Sequence, residues 1–295
     1  MKTNYFDKLL ISTAQRVEKK LESYLSGDGK LLELMSYSLL SGGKRIRPFL
    51  VIEASKLFGG SEEKALPFAC ALEMIHTYSL IHDDLPCMDN DDYRRGRLTS
   101  HKVFGEANAL LAGDSLLTYA FEVITDNPYV SDKSIKLATK CLSSYAGYKG
   151  MCGGQYLDLN GESNIKIYDD LIKMHSLKTG ALIKCAVILG YLSATDDVDE
   201  QIIADLEKYA QNIGLAFQIK DDILDKTADS TILGKLAGSD EKNGKITSLS
   251  FMSISDAEKE VNRLTNEAID VIEKYYKTEQ MNLVQLANYM VNRIK

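Results

Sequence analysis

The sequence predicts an all-α fold, and three observations support this prediction. Apolar residues recur at helical spacing in one segment after another, which is typical of amphipathic helices. Runs of alternating β-branched residues bounded by turns, the usual signal of β-strands, are nearly absent. Pro occurs only four times and not after position 128, so long helices can form in the rest of the chain. We expect a single large helical bundle of about ten helices, forming one domain over residues 1–295.

The composition is typical of a globular protein. Among its 295 residues, 45% are hydrophobic and 26% are charged, which is normal for such a domain. The net charge of −7 does not favour a nucleic-acid partner. No apolar run is long enough to predict a membrane-spanning helix. The five Cys residues show no metal-ligand spacing, so we expect reduced thiols in a cytoplasmic protein.

The first predicted helices are amphipathic. In "FDKLLISTAQRVEKKL" the apolar residues Phe6, Leu10 and Val17 recur at helical spacing, which favours a helix over a signal peptide. The segment "LLELMSYSLLS" repeats this apolar pattern and predicts a second helix. A Gly-containing turn follows in "SGGKRIRP", and Pro48 is well suited to the first turn of a helix. We therefore expect a third helix to begin at this turn.

An acidic cluster follows the next predicted helix. The segment from Leu72 to His82 is apolar almost all round, which predicts a deeply buried helix. Because Pro86 disfavours the α conformation just before it, the helix should end near Asp83 and Asp84. Carboxylates are unfavourable there, since a helix C-terminus carries a negative partial charge. A bound divalent cation would remove this cost, whereas a solvated acidic loop is the common explanation for such a run.

A second acidic cluster favours the metal interpretation. The segment "LAFQIKDDILD" places Asp221 and Asp225 four residues apart on one face of a predicted helix. Like charges at this spacing are destabilising without a counter-ion. An EF-hand is excluded at the first cluster, because Tyr93 and Arg94 occupy the positions that need an oxygen ligand and a Gly. The two clusters therefore predict carboxylates that face each other across a cavity and bind Mg²⁺ with a phosphate ester.

Cationic residues accompany both acidic clusters. Arg94 and Arg95 directly follow the first cluster, and Lys235 follows the second. "SGGKRIRP" supplies further cations, and "SLKTGALI" places Lys178 and Thr179 before Gly180 in a helical pattern, which suggests a local weakening of the helix. Cationic side chains and backbone N–H groups together bind phosphate groups well. Each segment is a weak signal alone, but the set favours a diphosphate ligand.

These motifs closely resemble those of the trans-type polyprenyl diphosphate synthases, and most closely those of bacterial farnesyl diphosphate synthases (geranyltranstransferases). The matching segments include "GGKRIRPFLV", "IHDDLPCMDNDDYRRG", "MCGGQYLDL", "HSLKTGALI" and "FQIKDDILD". The two acidic clusters correspond to the first and second aspartate-rich motifs of that family. The resemblance implies the isoprenoid synthase fold, with about ten core helices around a central cavity. It also implies that isopentenyl diphosphate condenses with dimethylallyl or geranyl diphosphate.

The resemblance also implies a role for each candidate residue. The implied metal ligands, which would bind about three Mg²⁺ ions with diphosphate present, are Asp83, Asp84, Asp89, Asp221 and Asp225. The residues implied to bind the allylic diphosphate are Arg94, Lys178 and Lys235. Those implied at the isopentenyl diphosphate site are Lys44, Arg47, His76 and Arg95. Those implied to line the reacting carbons are Thr179 and Gln218, and those near the metal ions are Gln155 and Asp158.

Product length should depend on the depth of the apolar pocket below the metal ions. Tyr78 lies five residues before Asp83, roughly 8 Å down a helix, and the resemblance makes it a candidate floor that favours a farnesyl product. A geranylgeranyl diphosphate synthase, a terpene cyclase and a non-catalytic subunit of a heteromeric prenyl synthase remain alternatives. Tyr93 and Leu98 depart from the family pattern without removing a charge. The resemblance further implies a homodimer.

Overall fold

The structure is a computed structural model that describes residues 5–161, 165–227, 246–276 and 281–292. Most of these residues are helical, which confirms the all-α prediction. The helices before residue 160 are α1 (Tyr5–Tyr24), α2 (Lys30–Leu39), α3 (Ile46–Leu57), α4 (Glu62–Asp83), α5 (Ser100–Phe104), α6 (Glu106–Thr125), α7 (Asp132–Ala146) and α8 (Met151–Leu159). The later helices are α9 (Tyr168–Lys178), α10 (Gly180–Ala194), α11 (Glu200–Thr227), α12 (Ile254–Glu273) and α13 (Asn282–Asn292).

Two short elements accompany the helices in the described part of the chain. The strands β1 (Tyr93–Arg94) and β2 (Arg97–Leu98) form an antiparallel hairpin in which Tyr93 pairs with Leu98. Both residues of this pair depart from the family pattern, and the Thr99 backbone N–H next to them donates to the Asp92 carbonyl at 3.0 Å. A 3₁₀ turn covers Ser248–Ser250.

The helices form two compact units. The first contains Met1–Ser143 and Cys185–Asp197, and the second contains Ser144–Lys184 and Val198–Lys295. The single domain expected over residues 1–295 stays a prediction.

Helix α4 is the central helix of the first unit, where it packs against α3 and α6. Residues 67–75 are all buried, in agreement with the apolar pattern of the segment. The hydroxyl of Ser61 caps the helix by accepting a hydrogen bond from the Lys64 backbone N–H at 3.4 Å. Glu62 and Glu63 lie in the first turn, where negative charge is favourable. This firmly packed helix carries the first aspartate-rich motif at its other end.

Helix α11 is the central helix of the second unit, where it packs against α12 and α13. The buried cluster around it consists of Leu215, Ala216, Ile219, Ile223, Ala257, Val261, Leu264 and Val291. Tyr209 is fully buried, and its hydroxyl donates a hydrogen bond to the Leu283 carbonyl at 2.8 Å. The polar end of this ring is therefore satisfied inside the core. Helix α11 ends with the second aspartate-rich motif.

Among the described residues, no single helix is long and apolar enough to cross a membrane. Helices α9 and α10, which meet at a bend of 46°, satisfy the criterion of length and composition only when they are taken together.

Candidate active site

The first aspartate-rich motif lies at the C-terminus of α4. The helix ends at Asp83, and the backbone N–H of Asp84 still donates to the Leu80 carbonyl at 3.1 Å. The chain then folds back, because the Asp89 N–H donates to the Asp83 carbonyl at 2.8 Å. The helix therefore ends at the two acids that precede Pro86, as the sequence predicted.

Asp84 contacts Arg94, the residue that the family resemblance assigns to the allylic diphosphate. The Arg94 guanidinium donates to Asp84 Oδ1 from Nε at 2.7 Å, and its Nη2 lies 2.6 Å from the same oxygen. Arg94 Nη2 also donates to Asp91 at 3.4 Å. Burial opposes the charge of Arg94, but the hydrogen bond and charge of Asp84 raise its pKa overall. The ion pair holds Arg94 against the end of α4.

The donor chemistry of the two motifs fits Mg²⁺. Asp83 and Asp89 lie in the first unit, and Asp221 and Asp225 lie on α11 in the second. In the part of the chain that the structure describes, no group of three or more His, Cys, Asp or Glu side chains is arranged to hold a metal. Mg²⁺ typically takes one or two carboxylates and completes its shell with water and substrate phosphates. The motifs therefore suit Mg²⁺ that arrives with a diphosphate, and the roles of Asp83, Asp84, Asp89, Asp221 and Asp225 as ligands stay predictions.

A cluster of cations in the first unit brings together most residues expected at the isopentenyl diphosphate site. Arg47 Nη1 lies 3.4 Å from His76 Nε2. Arg95 Nη1 donates to the Gly42 carbonyl and, at 3.3 Å, to Ser41 Oγ, in the loop that carries Lys44. The structure thus places the segment Arg94–Gly96 beside the "SGGKRIRP" loop.

The electrostatics of this cluster favour an anionic ligand. Burial and the neighbouring Arg47 and Arg95 guanidinium groups lower the pKa of His76 well below its usual value, so that ring is neutral at pH 7. Burial also lowers the pKa of both arginines, which nevertheless keep their charge because guanidinium pKa values are so high. Arg47 Nε is buried with no hydrogen-bond partner among the described residues. Positive charge is therefore concentrated in a partly buried place.

Two residues of this region were not assigned from the sequence. The Arg45 side chain is fully buried and donates from Nη1 to Glu73 at 2.6 Å and from Nη2 to the Leu39 carbonyl at 2.7 Å. Glu18 lies 3.3 Å from the same guanidinium. Glu73 was detectable as a carboxylate within the otherwise apolar run of residues 65–75. Its partner could not be inferred, because the two residues are 28 positions apart.

Tyr78 lies on α4 with only 6% of its surface exposed. Its ring meets the His82 ring edge to face, with centroids 5.6 Å apart. His82 Nε2 in turn contacts the Leu110 carbonyl of α6 at 3.1 Å. A Cβ atom on Gly113 would lie 2.2 Å from His82 Nε2, so only Gly leaves room for this ring. His82 therefore packs between α4 and α6 and supports Tyr78.

In the second unit, a helix break just before Gly180 positions two candidate residues. Helix α9 ends at Lys178 and α10 begins at Gly180, so Thr179 lies at the bend. Its Oγ1 donates to Gln218 Oε1 of α11 at 3.1 Å. Lys178 donates to the Asp158 carboxylate of α8. The structure thus joins the expected residues into two pairs, Thr179 with Gln218 and Lys178 with Asp158.

The remaining candidates of the second unit have separate environments. Both amide atoms of Gln155 are buried without a hydrogen-bond partner among the described residues, which leaves them able to bind a ligand or water. Asp222, between the two predicted ligands on α11, accepts the Ser248 backbone N–H at 2.7 Å and so has a structural role. Lys235 lies outside the described residues.

Comparison with known proteins identifies the family. The Polyprenyl synthetase family model matches residues 28–286. The chain belongs to the polyprenyl synthetase family. A farnesyl diphosphate synthase from Escherichia coli is 45% identical over 269 residues, covering 90% of each chain. A chloroplastic geranylgeranyl pyrophosphate synthase from Catharanthus roseus is 44% identical over 292 residues, covering 98% of this chain and 81% of the relative.

Solved structures of polyprenyl synthetases have the same fold. The crystal structure of a geranyltransferase from Legionella pneumophila matches with a TM-score of 0.87 and 34% identity, covering 100% of this chain and 99% of the other. The resemblance found in the motifs and the isoprenoid synthase fold expected from it are both confirmed.

Proposed function

We propose that this polyprenyl synthetase condenses isopentenyl diphosphate with dimethylallyl or geranyl diphosphate to give farnesyl diphosphate. The observation that carries the proposal is the 45% identity with a farnesyl diphosphate synthase over 90% of both chains. Both aspartate-rich motifs are present in the sequence, and so are all the cations expected around them. These residues disfavour a non-catalytic subunit of a heteromeric synthase.

The carboxylates of Asp83, Asp84, Asp89, Asp221 and Asp225 would hold Mg²⁺, which would supply positive charge to the leaving diphosphate. Arg94, Lys178 and Lys235 would bind the allylic diphosphate and stabilise the charge that develops as its C–O bond breaks. Lys44, Arg47, His76 and Arg95 would hold isopentenyl diphosphate, with the amide of Gln155 near the metal ions. The assignments of the isopentenyl diphosphate residues and of Gln155 follow from the family motifs.

The chemistry then needs no protein nucleophile. The double bond of isopentenyl diphosphate attacks the allylic carbocation and forms the new C–C bond. A proton leaves the adjacent carbon, and the released diphosphate accepts it. The paired oxygens of Thr179 and Gln218, 3.1 Å apart, would face the reacting carbons and stabilise positive charge.

The product is the finer part of the proposal. Relatives named for farnesyl and for geranylgeranyl products match this chain at nearly the same identity, 45% and 44%. The buried Tyr78 ring, supported by His82, favours the shorter product because it would close the pocket one turn and more below Asp83. A geranylgeranyl product is the alternative.

We also propose a cytoplasmic homodimer. All five cysteines are free thiols, as expected in a reducing compartment. In the first unit, Val103, Leu110 and Leu111 expose between 43% and 53% of their surface. An apolar group of this kind, on and just before α6, suits association with a second copy of the chain.

One experiment tests activity and product together. The protein is incubated with Mg²⁺, isopentenyl diphosphate and dimethylallyl diphosphate, and the dephosphorylated products are separated by chromatography. We expect farnesol as the main product and no product when EDTA removes the metal. Geranylgeraniol as the main product would support the alternative, and inactivity with every allylic substrate would support the non-catalytic subunit.

A further inference from the structure

We propose that Arg45 and Glu73 are positioning residues: their buried ion pair holds the loop of residues 41–45 and the first turn of α3 in the geometry that binds isopentenyl diphosphate. This inference rests on the proposed function, because it assigns the loop to that substrate. Neither residue would touch the substrate or the reacting carbons.

The pair connects three helices at one point. Arg45 is the N-cap residue of α3, while Glu73 belongs to α4 and the Leu39 carbonyl ends α2. Arg45 donates to Glu73 at 2.6 Å and to Leu39 at 2.7 Å, with its side chain fully buried and that of Glu73 2% exposed. A buried charge pair with short hydrogen bonds has one preferred geometry, unlike an apolar contact. The contact therefore determines where α3 begins relative to α2 and α4.

The backbone of Arg45 supports the same conclusion. Its φ is +48°, in the left-handed region that residues other than Gly seldom adopt. Such a conformation persists only where the surroundings impose it. The short side-chain bonds to the buried Glu73 and to the Leu39 carbonyl can impose it, and the longer contact with the partly exposed Glu18, at 3.3 Å, adds to them. Releasing them would let the loop relax away from its present course.

The loop geometry determines where the cations of the cluster lie. Arg47 is two residues after Arg45, and His76 is one turn after Glu73 on α4. Holding Arg45 on Glu73 therefore brings Arg47 Nη1 to 3.4 Å from His76 Nε2. Arg95 contacts the preceding part of the same loop through the Gly42 carbonyl. A displaced loop would separate these groups.

The charges agree with a positioning role for the pair. Glu73 neutralises Arg45, while Arg47 and Arg95 keep positive charge for an incoming diphosphate. Simple counter-charge is the competing explanation, and it makes the opposite prediction. If Glu73 only opposed the neighbouring cations, removing its charge would strengthen diphosphate binding. If it positions the loop, removing its charge would weaken it.

The test is steady-state kinetics of Glu73→Gln with each substrate varied in turn. We expect the KM for isopentenyl diphosphate to rise about tenfold or more, while the KM for geranyl diphosphate changes by less than about twofold. Glu73→Asp, which keeps the charge on a shorter side chain, should recover part of the loss. The matched control is Glu53→Gln, since Glu53 is also a buried carboxylate, on α3, paired with Lys56 at 2.9 Å.

The outcomes separate this inference from the proposed function. An active wild type in which Glu73→Gln leaves the isopentenyl KM unchanged or lowers it overturns the inference alone. The inference is also overturned if Glu73→Gln raises the KM for isopentenyl diphosphate and the KM for geranyl diphosphate equally. The same holds if Glu53→Gln raises the isopentenyl KM as much as Glu73→Gln does, because general destabilisation would produce either result. Inactivity of the wild type overturns the proposed function and this inference with it. If Glu73→Gln does not fold, Arg45→Lys, which loses the hydrogen bond to Leu39, is measured in the same way.

Discussion

Individual carboxylates at the end of α4 have different partners. Asp83 and Asp89 are joined through their backbones, whereas the side chain of Asp84 is bonded to Arg94. Asp84 is 4% exposed, so its charge is costly unless it has such a partner. In this structure, the partner is a cation of the protein itself.

Replacing Asp84 by Asn tests the strength of this pair. The Asn oxygen can still accept a hydrogen bond, but Arg94 loses its closest charged partner and keeps only the longer contact with Asp91 at 3.4 Å. We expect the free energy of unfolding to fall by about 1–3 kcal/mol in urea titrations. Asp92→Asn is the control, because Asp92 pairs with Lys102 with 59% of its side chain exposed, and such pairs contribute at most about 1 kcal/mol. Equal stability of Asp84→Asn and wild type would contradict the prediction.

His175 gives the stability a dependence on pH. Burial lowers the pKa of His175 from 6.5 to about 4; the nearby Asp158 carboxylate opposes this shift, and Lys178 adds to it. Between these values the unfolded chain binds a proton that the folded chain does not, so stability is lost as the pH falls. The contribution is complete above pH 6.5 and declines towards pH 4.

We expect this single group to remove about 2 kcal/mol of stability between pH 7 and pH 5. The measurement compares urea unfolding of the wild type and His175→Gln at both pH values. Other groups titrate equally in both proteins. We therefore compare the free energy of unfolding that the wild type loses between pH 7 and pH 5 with the free energy that His175→Gln loses over the same range. A difference near zero would show that His175 is not buried in its neutral form.

At the scale of the element, α4 places its functional groups in successive turns. Glu73 and His76 lie beside the "SGGKRIRP" loop, Tyr78 lies in the core, and Asp83 ends the helix. A rise of about 1.5 Å per residue separates Tyr78 from Asp83 by roughly 8 Å. One rigid helix can therefore determine both where the diphosphate binds and how far an apolar chain extends from it.

Replacing Tyr78 by Ala should lengthen the product. The smaller side chain opens the pocket below the first motif, so we expect products longer than farnesyl when the enzyme is supplied with excess isopentenyl diphosphate. The products are dephosphorylated and compared by chromatography. Tyr78→Phe is the control, because it keeps the ring and should keep the wild-type product. An unchanged product in Tyr78→Ala would remove Tyr78 as the floor of the pocket.

At the scale of the whole molecule, the exposed apolar side chains of α6 form part of the proposed dimer interface. Leu110 and Leu111 expose 45% and 53% of their surface although they are large and apolar. We expect the double substitution Leu110→Glu with Leu111→Glu to convert a dimer into monomers, because buried carboxylates without partners are costly. Sedimentation velocity measures the change. Ile11→Glu on α1, a position 54% exposed, should leave the dimer intact, and a dimeric double variant would contradict the proposed interface.

Much of the fold followed from local sequence signals. Pro86 and the two acids indicated the end of α4, and Gly180 indicated a weak point in the helical pattern where the chain in fact breaks, because both act on the backbone within a few residues. Pro48 indicated the start of α3, although the helix begins at Ile46 and Pro48 is its third residue. The short hairpin at Tyr93 was not predicted, since two residues per strand are too few for a periodic pattern.

The sequence named the candidate site residues, but it did not predict which contacts they make. Chain motifs selected the aspartates, cations and Tyr78, because the resemblance to the family rests on short continuous segments. They gave no sign that Arg45 binds Glu73 or that His82 packs between α4 and α6. Those contacts depend on residues that are 28 positions apart in each case.

The sequence by itself determined the helical class, the ends of the main helices and the family. Each of these depends on periodicity, on Pro and Gly, or on short motifs, all of which are local along the chain. Only the tertiary structure decided which partner each charged group takes: Glu73 for Arg45, Asp84 for Arg94 and Asp158 for Lys178. The physical reason is that the strength of a charge pair depends on distance and burial, which are known only once the helices have packed.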